Sequence, residues 1–195
     1  RIMEFRDVHA QYEIYKNDID SAIERVIKNT QFIEGKEVQE LEQQLSEYVG
    51  VKHCITCANG TDALTLVLKA WGVQAGDAVF VPDFTFFATG EVVSFCGATP
   101  IFVDVCWDTF NMDPVKLEQA IIKTIQEGKL KPKVIITVDL FGLPADYGKI
   151  EPIAKEYNLL VLEDAAQGFG GQFNGQKACS FGHAATTSFF PAKPL

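Results

Sequence analysis

Several absences narrow the function of this 195-residue chain before any motif is considered. No apolar run approaches the roughly 20 residues that a bilayer-spanning helix needs. The opening residues Arg1-Ile2-Met3-Glu4 do not read as a secretory leader. Cationic runs are missing too: 17 lysines and arginines face 26 acidic residues, a formal net charge of −9. That balance argues against a nucleic-acid or anionic-membrane surface. It leaves a phosphate ligand open, because N–H groups at a helix start hold a phosphate locally. Neither a G-x-G-x-x-G in a strand–helix turn nor a G-x-x-x-x-G-K-[ST] occurs, so dinucleotide and P-loop readings lack support. Histidine is scarce, and His9, His53 and His183 show no metal-ligand spacing, so no metal site is expected. The cysteines, Cys54, Cys57, Cys96, Cys106 and Cys179, are odd in number and do not suggest a disulfide framework. Cys54 and Cys57 form a C-x-x-C inside an apolar, strand-like stretch, not at a helix start where a redox pair usually sits. Buried, reduced thiols in a reducing cytoplasm are the expectation.

What is present reads as one globular domain, 47% hydrophobic and 22% charged. Fifteen phenylalanines against five tyrosines predict well-filled interior layers. Residues 10–28 carry Ile19, Ala22, Ile23, Val26 and Ile27 at helical spacing, and residues 37–49 repeat the pattern with Val38, Leu41, Leu45 and Val49 before Gly50. This helical segment, within residues 1–50, is expected to pack outside a main sheet or against a partner subunit. Thereafter β-rich runs at 53–57, 78–81, 100–103, 133–139 and 159–163 alternate with helical segments at 61–71, 86–95, 114–127 and 146–157. Such alternation predicts an α/β fold, a mostly parallel sheet with helices on both faces. Asp113-Pro114 is a good helix entry. Gly142-Leu143-Pro144 and the stretch from Gly168 to Gly175 read as loops.

Four stretches can carry chemistry. Ala58-Asn59-Gly60-Thr61-Asp62 follows a strand-like run and opens a helix, which suits a phosphate site. A plain capping turn is the simpler reading, since Asn, Thr and Asp all cap helices. Leu159-Leu160-Val161-Leu162-Glu163-Asp164-Ala165-Ala166-Gln167 is an apolar strand ending in two carboxylates, at the end of a sheet where α/β ligands bind. Glu163 and Asp164 point to opposite faces. A carboxylate aimed at a pyridine nitrogen keeps the ring protonated and makes it an electron sink; a metal ligand or a buried structural Asp are the alternatives. Pro82-Asp83-Phe84-Thr85-Phe86-Phe87-Ala88-Thr89 offers an aromatic that stacks on a flat cofactor or simply fills the core. Finally, Lys193 lies between Pro191 and Pro194 behind an apolar run, with Ser188 five residues earlier. It reads either as an exposed loop lysine or as an amine that forms a Schiff base with a carbonyl.

Taken in order, NGTDAL, PDFTFFAT, EDAAQ and SFFPAKPL resemble the DegT family of pyridoxal phosphate (PLP)-dependent sugar aminotransferases, of the aspartate-aminotransferase fold (type I). The opening EFRDVHAQYE and QFIEGKEVQELE are similar to that family as well, particularly to members that aminate 3-keto UDP-sugars. The resemblance covers essentially the whole chain and roughly the first half of a family member. It implies that residues 1–195 are the N-terminal portion of the large cofactor domain, without the small C-terminal domain. It implies that Lys193 forms the Schiff base and shuttles a proton, that Asp164 pairs with the pyridinium nitrogen and that Gln167 bonds the ring's 3-hydroxyl. Phe86 would stack on the ring, and Gly60, Thr61, Asp62 and Ser188 would hold the phosphate. His183 stands where family members often carry an acid and receives no role. The implied partners are a UDP-, dTDP- or GDP-linked keto sugar, glutamate as amino donor, and a second subunit sharing the site. The expected setting is cytoplasmic synthesis of cell-surface polysaccharide such as O-antigen. Two other readings remain open: a sugar dehydratase of the same fold, in which the lysine position carries histidine, and a non-catalytic fragment.

Overall fold

The computed structural model describes residues 7–193. These form two compact units that divide between Thr56 and Cys57, with residues 190–192 counted with the first unit and Lys193 with the second.

The first unit is built on two helices. Helix α1 (Val8–Asn29) is capped by Asp7, whose Oδ1 accepts from the N–H of Ala10, and it ends on Thr30 in the left-handed conformation. Helix α2 (Lys36–Val49) ends on Gly50, also left-handed. The predicted apolar stripes are present, yet no residue of either helix is buried. The strand expected at 53–57 does not form. No strand among the described residues runs beside it, and a strand exists only through a ladder. Thr56 instead donates both its N–H and its hydroxyl to Oε1 of Glu42.

The second unit follows the predicted alternation closely. Its elements are α3 (Gly60–Ala70), β1 (Asp77–Pro82), α4 (Ala88–Phe95), β2 (Thr99–Val103), α5 (Pro114–Glu127), β3 (Lys131–Val138), α6 (Tyr147–Glu156) and β4 (Leu160–Asp164). A two-strand ribbon of β5 (Gln172–Phe173) and β6 (Gln176–Lys177) falls inside the expected glycine-rich loop, and β7 (Ala184–Thr186) adds an unforeseen edge strand. The main sheet runs β2-β1-β3-β4-β7, all parallel. Asp113 caps α5 by accepting from the N–H groups of Val115 and Lys116, with Pro114 at the first helical position.

Both faces of this sheet are covered, and alternation along the strands assigns them. Ala78 and Phe80 of β1, Ile135 of β3 and Val161 of β4 pack with Leu117 and Ile121 of α5 and Ile150 of α6. Their neighbours Val79, Val81, Val134, Ile136 and Leu162 pack with Leu64 and Leu68 of α3 and Val92 and Val93 of α4. Each such buried side chain contributes about 1.5–3 kcal/mol relative to exposure. The phenylalanines depart from expectation. Among the described residues only Phe80 and Phe181 are fully buried, while ten are exposed. Because the strands are parallel, their C-terminal ends and the loops that follow share one edge.

Candidate active site

Asp164 is the last residue of β4 and, like Leu162, points to the face covered by α3 and α4. It is 5% exposed. Its Oδ2 accepts from the hydroxyl of Thr89 on α4 at 2.9 Å, and its Oδ1 accepts from the N–H of Ala166 at 3.2 Å. Thr89 also meets the Thr85 hydroxyl at 3.0 Å, so a chain of hydroxyls leads from the β1–α4 turn to the carboxylate. Burial pushes the Asp164 carboxyl above its usual range, with the Thr89 and Ala166 bonds and the charge of Lys193 opposing the rise. The sequence reading gave neither threonine a role: Thr85 lies in the turn before α4 and Thr89 in its first turn, and only the fold brings them to Asp164.

The start of α3 holds the phosphate candidates. Asn59 caps it, its Oδ1 accepting from the Asp62 N–H at 2.9 Å while its Nδ2 donates to the Asp62 carboxylate. The N–H and one carboxylate oxygen of Asp62 are therefore engaged with the cap. A Cβ on Gly60 would stand 3.3 Å from Cβ of Ser188, so glycine here lets the 187–188 backbone approach the helix start. Gly60 and Ser188 are thus neighbours, with Thr61 next in the chain at the start of α3.

Phe86 lies in the turn after β1 and is 69% exposed. The Nζ of Lys193, itself half-buried, stands 5.8 Å from the centre of that ring. Gln167, three residues past Asp164, accepts through Oε1 from the N–H of Phe141 at 2.8 Å, which fixes its carboxamide and leaves the NH₂ to donate elsewhere. Lys193, Phe86, Asp164 and Gln167 all belong to this C-terminal edge of the sheet.

Glu163 points to the opposite face, as the period of two requires. It is buried against Asp139, also fully buried, and accepts from the N–H groups of Cys179 and Phe181. Oδ1 of Asp139 accepts from the Tyr147 hydroxyl at 2.7 Å and from the Ala145 N–H at 3.1 Å. Its Oδ2 meets no donor among the described residues unless Glu163 carries a proton. Burial and the Asp139 charge push Glu163 up to about 9, so it supplies that proton at neutral pH. His183 stands apart from both carboxylates, accepting at Nδ1 from the Val161 N–H and tying β7 to β4. None of the five cysteines is fully buried, contrary to expectation. Cys57 is exposed, and Cys54 and Cys57 lie in an irregular stretch instead of a strand. Among the described residues no cluster of His, Cys, Asp and Glu could hold a metal ion, and no helix is long and apolar enough to cross a membrane.

Residues 13–195 match the model of the DegT/DnrJ/EryC1/StrS aminotransferase family. A UDP-2-acetamido-2-deoxy-3-oxo-D-glucuronate aminotransferase from Pseudomonas aeruginosa is 46% identical over 194 residues, which are 100% of this chain and 52% of that protein. The crystal structure of a DegT DnrJ EryC1 StrS aminotransferase from Brucella abortus superposes with a TM-score of 0.98 at 51% identity, covering 100% of this chain and 52% of its own. NtdA from Bacillus subtilis, with bound cofactor PMP, superposes with a TM-score of 0.86 at 34% identity, covering 98% and 42%. The chain thus spans about half the length of the relatives it matches. With an α/β sheet carrying Asp164 at a strand end, a lysine over Phe86 and a family match along nearly its whole length, this chain belongs to the DegT/DnrJ/EryC1/StrS aminotransferase family.

Proposed function

We propose that this chain carries the cofactor site of a transaminase that uses pyridoxal 5′-phosphate to move an amino group, glutamate's for preference, onto a keto sugar of a UDP, dTDP or GDP nucleotide. The observation that carries this reading is the placement of the Lys193 amine over the Phe86 ring, at the sheet edge where Asp164 is buried.

The residues present fit that cofactor. The N–H groups of Gly60 and Thr61 at the start of α3, together with Ser188, would take its phosphate, which suits a helix start. Asp62 would serve through the Asn59 cap that shapes this turn. Phe86 offers an exposed flat face for the ring. Asp164 is a desolvated carboxyl raised by burial, and a cation placed against it returns it to the charged form. It would therefore pair with a protonated ring nitrogen, while Thr89 holds it in place. Gln167, fixed by the Phe141 N–H, would donate its NH₂ to the ring's 3-oxygen.

When bound, the cofactor supplies an aldehyde that captures amines and a protonated ring that draws electrons from them. Lys193 Nζ would hold the cofactor, and the same amine would take the proton from the donor's α-carbon and return one on the sugar side. A histidine at 193 would suit the dehydratases of this fold, and lysine here favours amino transfer. We further propose a homodimer with shared sites, acting in the cytoplasm in cell-surface polysaccharide synthesis.

The test uses the full-length protein with glutamate and a keto nucleotide sugar. Lys193→Ala should lower turnover by roughly 10³-fold or more and abolish the cofactor's visible absorbance shift. Unchanged turnover, or a deoxy sugar in place of an amino sugar as product, contradicts the assignment.

A further inference from the structure

The most conspicuous feature outside the cofactor site is a trio of exposed rings. Phe84, Phe110 and Phe141 are 48%, 42% and 70% exposed, in an edge where most large apolar side chains would be expected inside. They come from three different loops at the C-terminal edge of the sheet, after β1, β2 and β3. Their ring centres are 5.5 Å (Phe84 to Phe110), 6.4 Å (Phe110 to Phe141) and 6.5 Å (Phe84 to Phe141) apart. These spacings are those of aromatic rings in mutual contact. The rings therefore form one continuous surface.

The backbone holds that surface rigidly. Phe110 and Phe141 both have left-handed φ, 59° and 55°, where a bulky residue is strained and glycine is the easy choice. The two strained turns are stapled together by Asn111, which is 5% exposed. Its Oδ1 accepts from the Leu140 N–H, and its Nδ2 donates to the carbonyls of Leu143 and Pro144, so it grips the chain on both sides of Phe141. Conformational strain fixed by a buried three-point staple is how a fold presents side chains for a purpose.

Two links make the trio continuous with the cofactor site. Phe84 and Phe86 are separated by one residue, which places their Cα atoms within about 7 Å. The N–H of Phe141 is the donor that fixes Gln167. In a nucleotide sugar a diphosphate and a ribose separate the base from the reacting sugar, and the three rings lie on the same sheet edge as Phe86. We propose that the Phe84–Phe110–Phe141 surface is the stacking platform for the nucleobase of the nucleotide-sugar substrate. The proposal rests on the transaminase reading above and adds which part of the substrate these residues recognise. Exposed rings suit a base because every base has a flat face, and stacking tolerates uracil, thymine and guanine alike. It thus predicts affinity for the nucleotide portion with modest discrimination among bases.

The test separates this claim from the one it rests on. Conversion of the cofactor by glutamate in the full-length wild-type protein, followed by absorbance, examines the transaminase reading with no nucleotide present. Calorimetric titration with UDP and, separately, with pyrophosphate examines the platform with no turnover. Wild-type protein should bind UDP at least tenfold more tightly than pyrophosphate. Phe110→Ala should weaken UDP about tenfold and leave pyrophosphate unmoved, and Phe110→Tyr should restore UDP binding. Phe84→Leu keeps the apolar volume without the flat face, and should weaken UDP several-fold even where Phe110→Ala folds poorly. Equal affinity of the wild type for UDP and pyrophosphate overturns the proposal, as does unchanged UDP affinity in both variants. Dissociation of subunits in the variants with UDP affinity retained also overturns it, by making the trio a contact between copies.

Discussion

Two buried carboxylates sit next to each other at the end of β4 and face opposite ways, and their surroundings differ in kind. On the α5/α6 side, Glu163 and Asp139 meet the cost of burial within the protein: backbone N–H groups, the Tyr147 hydroxyl and one retained proton satisfy the pair. On the α3/α4 side, Asp164 is bonded by Thr89 and Ala166 but has no ion pair among the described residues, and burial leaves its carboxyl raised. A carboxyl completed from within is a structural part. One without an ion pair, at a sheet edge beside a lysine and an exposed ring, is the proposed partner of a cationic ligand group. Equal burial of two neighbours therefore says little about their role, and the partners of each say much.

The contrast is open to direct attack. The largest effect is expected from Asp164→Ala in the full-length protein: activity should fall at least about 10²-fold with loss of cofactor affinity. The cofactor-free fold should change by about 1 kcal/mol or less, because the Thr89 hydroxyl can turn to Thr85. Enzyme assays beside urea melts check both halves. Glu163→Ala should do the reverse, costing about 3 kcal/mol by stranding the N–H groups of Cys179 and Phe181. If Asp164→Ala destabilises the fold more than Glu163→Ala does, the contrast fails.

A smaller effect sharpens the structural side. Glu163 binds its proton up to about pH 9 in the fold, whereas an unfolded glutamic acid releases it near its ordinary value of 4.5. Between those limits the folded state holds the extra proton, so stability is fully present below that range and declines as pH rises towards 9. Asp139→Asn offers Glu163 an N–H donor in place of the shared proton while its Oδ1 still accepts from Tyr147 and Ala145. The variant should lose less stability than the wild type between pH 6 and 9 in urea melts at each pH. Parallel declines would show that the pair holds no such proton.

The parts of this picture that were legible in the sequence were the ones written in periodicity and local chemistry. Asp113-Pro114 marks the start of α5, and the alternation of apolar runs with amphipathic segments gives four of the five sheet strands in order. The opposite orientation of Glu163 and Asp164 follows from the strand period alone. Pairing is not local, and there the sequence misleads: the apolar run at 53–57 has no ladder among the described residues, while the short Ala184–Thr186 segment becomes a strand only because β4 lies beside it. The phenylalanines mislead for a related reason. Composition counts apolar area but not the side of an edge on which it lies, so fifteen phenylalanines predict well-filled layers while Phe84, Phe110 and Phe141 stand exposed. In the site, motif residues such as Asp164 and Gly60 are readable, whereas Thr89, Asn111 and Asp139 act through partners 24 to 75 positions away.

The central claim is that Lys193 is the amine that holds the cofactor. Incubating the full-length protein with pyridoxal phosphate, reducing with borohydride and mapping the modified peptide by mass spectrometry tests it most directly. A single phosphopyridoxyl group on Lys193, absent from Asp164→Ala under limiting cofactor, is the predicted result. A modified lysine elsewhere with Lys193 untouched would contradict the account.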